Sequence, residues 1–266
     1  MKLLRQATIT LFLLVAAVFG ATQVKDRYFT DHTPPSITFD SDTITISAKA
    51  PGTALLQGVT ATDLTDGDLT SQIRIQGTTQ LLTNNSAKVT YVVFDSSNNI
   101  TTASRTVVYS DYEKPRFKQN APLVFPCNQS VNIINLLSAT DLIDGDISKN
   151  IRISTSTMDI YTPGSYAVTA HATNSLGDTE IIPLKVVITN QPQVLPTFQL
   201  SEYIVYLNQG DAYDPQRYIT SISNGNAVQV DASGVQTNSP GVYHAAFSHN
   251  SDHSTVYTVY QTVVVR

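Results

Sequence analysis

Residues 61–75 read ATDLTDGDLTSQIRI, and residues 139–153 read ATDLIDGDISKNIRI. Ten of the fifteen positions are identical when Ala61 is set on Ala139, which chance does not produce. The flanks repeat as well. Pro35-Ser36-Ile37, Pro115-Arg116-Phe117 and Pro196-Thr197-Phe198 open successive units of nearly equal length, and Pro163-Gly164-Ser165-Tyr166 returns as Pro240-Gly241-Val242-Tyr243. A third version of the motif, Ile219 to Asn226, keeps only its outline: Ser221, Asn224 and Asn226 replace the three aspartates, while Gly225 stays. The chain is therefore read as three tandem units, 34–110, 114–189 and 195–266, with a short linker at 28–33 and further linkers at 111–114 and 189–195.

Inside each unit the apolar spacing is that of strands. Thr43-Ile44-Thr45-Ile46-Ser47 alternates strictly, as does Tyr166 to Ala172, and Lys88 to Phe94 and Val256 to Val265 are rich in Val, Tyr and Thr. Asn84-Asn85, Ser96 to Asn99, Asn174 to Gly177 and Asn208-Gln209-Gly210 punctuate these runs as turns. After residue 30 no amphipathic helix is expected beyond a turn near Ile133 to Leu137. Many short strands separated by turns predict an all-β chain of three tandem β-sandwiches.

The composition of the 266 residues excludes several classes. Charged residues make up 14% and apolar ones 41%, which is not the balance of a disordered acidic chain. A net charge of −5 lacks the basic footprint of nucleic-acid binding. The single cysteine, Cys127, excludes an internal disulfide framework and a cysteine-rich zinc site. It reads as a partly buried thiol at a strand end, after Pro126.

The N-terminal segment, 1–27, is of a different kind. Lys2 and Arg5 precede an uncharged stretch from Gln6 to Val24 with its apolar heart at Ile9 to Ala21, the pattern of an export signal or a signal-anchor helix. An anchor needs about 17 to 20 apolar residues to cross a hydrocarbon core of about 30 Å, and this stretch is just long enough. Cleavage after Val18-Phe19-Gly20 is the competing outcome. Either way residues 28–266 lie outside the membrane, and the anchored form, held by residues 7–24, is the favoured reading.

The motif Asp-x-x-Asp-Gly-Asp followed by Ile-Arg-Ile, with Tyr91 to Asn99 ending in an Asp/Asn turn, resembles bacterial Ig-like domains of the type named from insecticidal crystal proteins. The resemblance covers 34–110 strongly, 114–189 well and 195–266 weakly. It implies surface-exposed bacterial β-sandwiches in tandem arrays and no enzyme activity.

Two chemistries compete at the motif. Asp63, Asp66 and Asp68, and likewise Asp141, Asp144 and Asp146, supply hard oxygens dense enough for calcium. The same residues are also ideal turn formers, because Asp accepts from nearby backbone N–H groups and Gly67 and Gly145 supply a positive φ. The third unit keeps the turn without the charge, so the turn reading is favoured and calcium remains the one cofactor considered. His244, His249 and His253 are read as surface or turn histidines. No catalytic serine elbow or phosphate-cradling glycine loop is found. The sequons at Asn84, Asn99 and Asn128 matter only in a glycosylating host. The tyrosines of the third unit, Tyr203, Tyr206, Tyr213, Tyr218 and Tyr243, are the candidate contact surface, since tyrosine is enriched where proteins or glycans are bound. The expected protein is a non-enzymatic envelope protein for adhesion or protein/glycan contact, with a structural spacer or an accessory subunit of a complex as the alternative. Its ligand is unidentified.

Overall fold

The computed structural model describes residues 2–28, 31–81, 83–190, 198–222, 227–250 and 256–266. It divides into two compact units, Met1–Ser110 and Asp111–Arg266. Three Ig-like β-sandwiches follow one N-terminal helix, the first sandwich in the first unit and the other two in the second.

Helix α1 spans Lys2–Tyr28. Its segment Arg5–Val24, 20 residues with a mean hydropathy of 2.0, is long and apolar enough to cross a membrane. Leu11, Phe12, Leu13 and Phe19 are each more than 60% exposed, so nothing among the described residues covers this apolar helix.

The first sandwich contains β1 (Ser36–Phe39), β2 (Thr43–Ile46), β3 (Val59–Asp63), β4 (Gly67–Asp68), β5 (Arg74–Thr78), β6 (Ser86–Phe94) and β7 (Ile100–Tyr109). They form a small sheet, β1-β3-β4, facing a larger one, β2-β7-β6-β5. All neighbours are antiparallel except β2 and β7, which run parallel with Thr43 opposite Thr106 and Ile46 opposite Tyr109. Alternation places Val89, Tyr91 and Val93 of β6 fully inside, together with Val107 of β7. A buried cation also sits here. Arg105 is 3% exposed, donates Nε to the Tyr91 hydroxyl and Nη2 to the Leu55 and Gln57 carbonyls, and lies against the rings of Phe39 and Tyr91. Carbonyl acceptors and ring faces replace the water it has lost.

The second sandwich repeats this plan with β8 (Arg116–Gln119), β9 (Val124–Pro126), β10 (Leu137–Asp141), β11 (Gly145–Asp146), β12 (Arg152–Ser156), β13 (Gly164–Thr173) and β14 (Thr179–Thr189). The third does so with β15 (Phe198–Leu200), β16 (Ile204–Leu207), β17 (Ile219–Ile222), β18 (Gln229–Asp231), β19 (Gly241–Asn250) and β20 (Val256–Val265). Their large sheets run β12-β13-β14-β9 and β16-β20-β19-β18, again with a single parallel pair in each, β9/β14 and β16/β20. The third copy's small sheet has two described strands, β15 and β17. Its altered motif, Asn224-Gly225-Asn226, lies outside the described residues, as do Pro196, Thr197 and most of the 189–195 linker.

Copies two and three share a core. Ile204 and Val264 of the third belong to the same buried cluster as Phe117, Ile151, Leu184 and Ile188 of the second, with Tyr206 and Val242 packed against it. Tyr206 fastens the junction: its hydroxyl accepts a 2.7 Å hydrogen bond from the backbone N–H of Phe117. The guanidinium groups of Arg116 and Arg266 lie 5.1 and 4.7 Å from its ring centroid. Arg266 also donates to Glu180 Oε1 at 2.9 Å and to the Pro115 carbonyl at 3.0 Å. The three repeats read from the sequence thus fold as three sandwiches, of which the last two are one body.

Candidate functional site

The motif builds the same turn twice. In the first copy Asp63 Oδ1 accepts from the backbone N–H groups of Thr65 (2.8 Å) and Asp66 (2.9 Å), Gly67 takes φ +75°, and Asp68 Oδ1 accepts from Thr70 N–H at 2.9 Å. The second copy matches it: Asp141 Oδ1 accepts from Ile143 (2.8 Å) and Asp144 (3.1 Å), Gly145 takes φ +71°, and Asp146 Oδ1 accepts from Ser148 N–H at 2.9 Å. The Thr70 and Ser148 side chains hold Asp68 and Asp146 below the usual carboxylate range, helped by the backbone N–H of the same residue. Beneath each turn lie the buried pairs Leu69/Ile73 and Ile147/Ile151.

Asp66 and Asp144 tie the turn to the β6–β7 and β13–β14 connections. Asp66 Oδ2 accepts from Ser96 N–H at 2.8 Å. Asp144 accepts from both the backbone N–H and the hydroxyl of Ser175, at 2.5 and 2.7 Å. Four of the six predicted ligands, Asp66, Asp68, Asp144 and Asp146, therefore serve as acceptors for neighbouring backbone at the surface of the turn. The remaining two, Asp63 and Asp141, point inward.

Around Asp63 the fold collects carboxylates that are far apart in sequence. Asp31, Asp63 and Asp95 each bring a carboxylate oxygen within 4.8 Å of the others. Asp95 follows the end of β6 and is 6% exposed; its Oδ1 accepts from Ser97 and Asn99 N–H, and its Oδ2 from Asn99 Nδ2 at 2.7 Å. Asn99 also donates to the Asp31 carbonyl, so its sequon amide is engaged. The Thr33 backbone N–H, and after it the Thr65 hydroxyl, keep Asp31 below the usual carboxylate range. Asp63 is 9% exposed, and its Oδ2, like that of Asp31, has no hydrogen-bond partner.

The second copy closes the same place differently. Asn174 stands where Asp95 does, and Tyr112 fills the position facing Asp141. The Tyr112 hydroxyl donates to Asp178 Oδ2 at 2.8 Å and accepts from Asn174 Nδ2 at 2.8 Å. Asp141 Oδ2 accepts from Asn174 Nδ2 at 3.2 Å, with the Tyr112 hydroxyl 3.4 Å away. Burial first, and then the bond to Asp178, pushes the Tyr112 hydroxyl far above its ordinary range.

The candidate tyrosines of the third copy are largely spent on structure. Tyr203 and Tyr218, each 7% exposed, are buried. Tyr213 donates to Gln261 and stacks on Tyr218 with centroids 6.1 Å apart. Tyr243 donates to the Ser239 carbonyl. Tyr206 holds the junction described above, and burial pushes its hydroxyl up to about 12. Beside it an open groove of about 410 Å³ is lined by Arg116, Lys118, Glu202, Tyr203 and Tyr206 among others.

His249 is not a surface residue: it is 1% exposed, on the same face of β19 as the buried Ala245 and Phe247. His244 falls on the opposite face of that strand and is partly buried. His253 lies outside the described residues. Cys127 is partly buried after β9, with Sγ 3.7 Å from Asn190 Oδ1.

The all-β, Ig-like architecture defines the class of the protein. No protein-family model matches the chain. It is 27% identical over 243 residues to pesticidal crystal protein Cry22Aa of Bacillus thuringiensis, an alignment covering 84% of this chain and 31% of that protein. The chain thus spans about a third of the length of that relative. Similar solved structures include the CBM51-2 and INT domains of Clostridium perfringens ZmpB in complex with GlcNAc, at 17% identity and a TM-score of 0.24 over 52% of this chain and 29% of that one. A lipoprotein of Bacteroides thetaiotaomicron is 15% identical with a TM-score of 0.25, covering 57% of this chain and 80% of its own. Drosophila N-cadherin EC1-4 is 11% identical with a TM-score of 0.25, covering 88% and 75%. Similarity at this level assigns neither a ligand nor a partner.

Proposed function

We propose that this chain is a non-enzymatic bacterial envelope protein that carries tandem Ig-like domains outside the membrane, of the type named from insecticidal crystal proteins, for adhesion or protein/glycan contact. The observation that carries the reading is the uncovered apolar helix Arg5–Val24 leading into the sandwiches. An apolar surface of that length left in water is strongly unfavourable, and insertion into a bilayer relieves it. Contact with a protein or glycan falls on the groove beside Tyr206, where charged side chains of both signs surround an aromatic ring.

The test is to express the full chain with a C-terminal tag in a bacterium, extract membranes with carbonate, and shave intact cells with protease. The sandwiches should stay with the membrane and be digested from outside. A chain recovered in the cytosol, or protected from external protease, sinks the reading. The shared core of copies two and three favours the spacer alternative, which differs in one measurable way: reversing the charges of Lys118 and Glu202 would then leave adhesion unchanged.

A further inference from the structure

We propose that the first sandwich binds a hard divalent cation, calcium, between Asp31, Asp63 and Asp95. The proposal rests on local geometry and stands independently of where the chain is located.

Three carboxylate oxygens within 4.8 Å of one another are mutually repulsive unless a positive charge lies among them. Among the described residues no lysine or arginine forms a salt bridge with any of the three, and the one neighbouring titratable base, His32, acts on Asp31 only as the least of the influences on it. Two of the carboxylates are also more than nine-tenths buried, Asp63 and Asp95. Asp63 spends Oδ1 on its turn and leaves Oδ2 shielded from solvent without a partner, and Asp31 Oδ2 is likewise shielded and unpartnered. An inward-facing carboxylate oxygen with nothing to accept from is unfavourable and calls for an explanation.

The second copy serves as an internal control. Its turn is built by the same hydrogen bonds, yet Asp141 Oδ2 is satisfied by an amide and lies near a hydroxyl. Replacing one carboxylate by Asn174 and placing Tyr112 in the gap leaves no orphaned oxygen there, so the backbone geometry alone does not demand the first copy's arrangement. What differs between the copies is where the carboxylates stand, since Asp178 takes the place of Asn99 and is bonded by Tyr112, and the unmet acceptors of the first copy, which a cation answers.

The donor set selects the ion. All donors are oxygens, which disfavours zinc. An irregular set of side-chain oxygens drawn from three separate segments suits calcium, which takes about six to eight oxygens in flexible geometry, better than magnesium, which demands near-ideal octahedral coordination and keeps much of its water. The three carboxylates do not complete its shell of about six to eight oxygens, so water supplies the balance.

The experiment uses the full chain in detergent micelles, stripped with chelator and titrated with calcium chloride or magnesium chloride by calorimetry, alongside thermal melts. A single calcium per chain should bind with a Kd of about 10⁻⁴–10⁻³ M, the range of extracellular modules, and should raise the melting temperature of the first unit. Asp63→Asn keeps the Oδ1 acceptor and hence the turn, so it should preserve the circular dichroism spectrum while weakening calcium about tenfold or more. Asp95→Asn should do the same. Asp141→Asn and the double variant Asp66→Asn, Asp68→Asn should leave affinity within about twofold. A folded chain that takes up no calcium at millimolar concentrations overturns the proposal, as does binding that survives Asp63→Asn and Asp95→Asn. Loss of binding on Asp141→Asn would overturn it too, and magnesium binding equally well would overturn the choice of calcium.

Discussion

Removing one oxygen atom at Tyr206 should loosen the body formed by copies two and three. In Tyr206→Phe the ring remains between Arg116 and Arg266, so the apolar burial and the cation–ring contacts persist. What disappears is the acceptor for the Phe117 backbone N–H, a 2.7 Å bond from a residue only 3% exposed. A buried donor left without a partner costs about 1–3 kcal/mol. For a body of about 150 residues each kcal/mol moves the melting temperature by about 2–4 °C, so a fall of about 2–12 °C is expected. Differential scanning calorimetry of the full chain should show this fall in the transition of Asp111–Arg266 and leave that of Met1–Ser110 in place. Tyr206→Ala also strips the ring from between the two guanidinium groups and should cost about 3–5 kcal/mol. If both variants melt like the parent, or if the second and third copies melt separately in the parent, the shared core does not couple them and the reasoning fails.

Three further outcomes are expected. Burial first, and Lys185 second, lower the His244 pKa to about 4, so the folded chain holds this ring neutral while the unfolded chain binds a proton below about 6.5. Stability from this source is complete above about pH 6.5 and declines as the pH falls toward 4, by about 2 kcal/mol after allowance for partial exposure; His244→Gln should flatten a urea-denaturation profile across that window. Asp144→Ala removes two hydrogen bonds from Ser175 where Asp66→Ala removes one from Ser96, so it should destabilise its unit more, by about 1–2 kcal/mol against about 1 kcal/mol, in chemical denaturation. Ile151→Ala, at a position 1% exposed, should cost about 2–5 kcal/mol and lower the second unit's transition in calorimetry while leaving the first unchanged.

The repeated turn was legible because its parts are contiguous. Asp63 accepts from residues two and three further on, and Gly67 supplies the positive φ, so one short stretch of sequence contains the whole device. The strands were legible for a similar reason, since alternation is a local property. The Asp31–Asp63–Asp95 cluster was not, because its members come from the chain before β1, the end of β3 and the turn after β6, and only the pairing of sheets brings them together. A trace of it exists in the repeat itself. When the turns after β6 and β13 are superposed, Asp95 falls on Asn174 and Asn99 on Asp178, an exchange of charge that marks the place. Tyrosine identity was a poor guide to exposure. Tyr203 and Tyr218 carry enough apolar area to serve as core, and in a small sandwich that use prevails. The burial of His249 was hidden for a related reason, since strand alternation sets its depth whatever its polarity.

In each copy the opening strand of the large sheet lies parallel to its closing strand, β2 on β7, β9 on β14 and β16 on β20. When a chain is pulled from its two ends, such a pair slides lengthwise, and its rungs are strained all at once instead of peeling one after another. Resistance to traction is then governed by the height of the unfolding barrier and not by equilibrium stability alone. A protein fixed to a cell at one end and gripped at the other would meet load in this direction, and each copy would oppose drag with its own clamp before giving way.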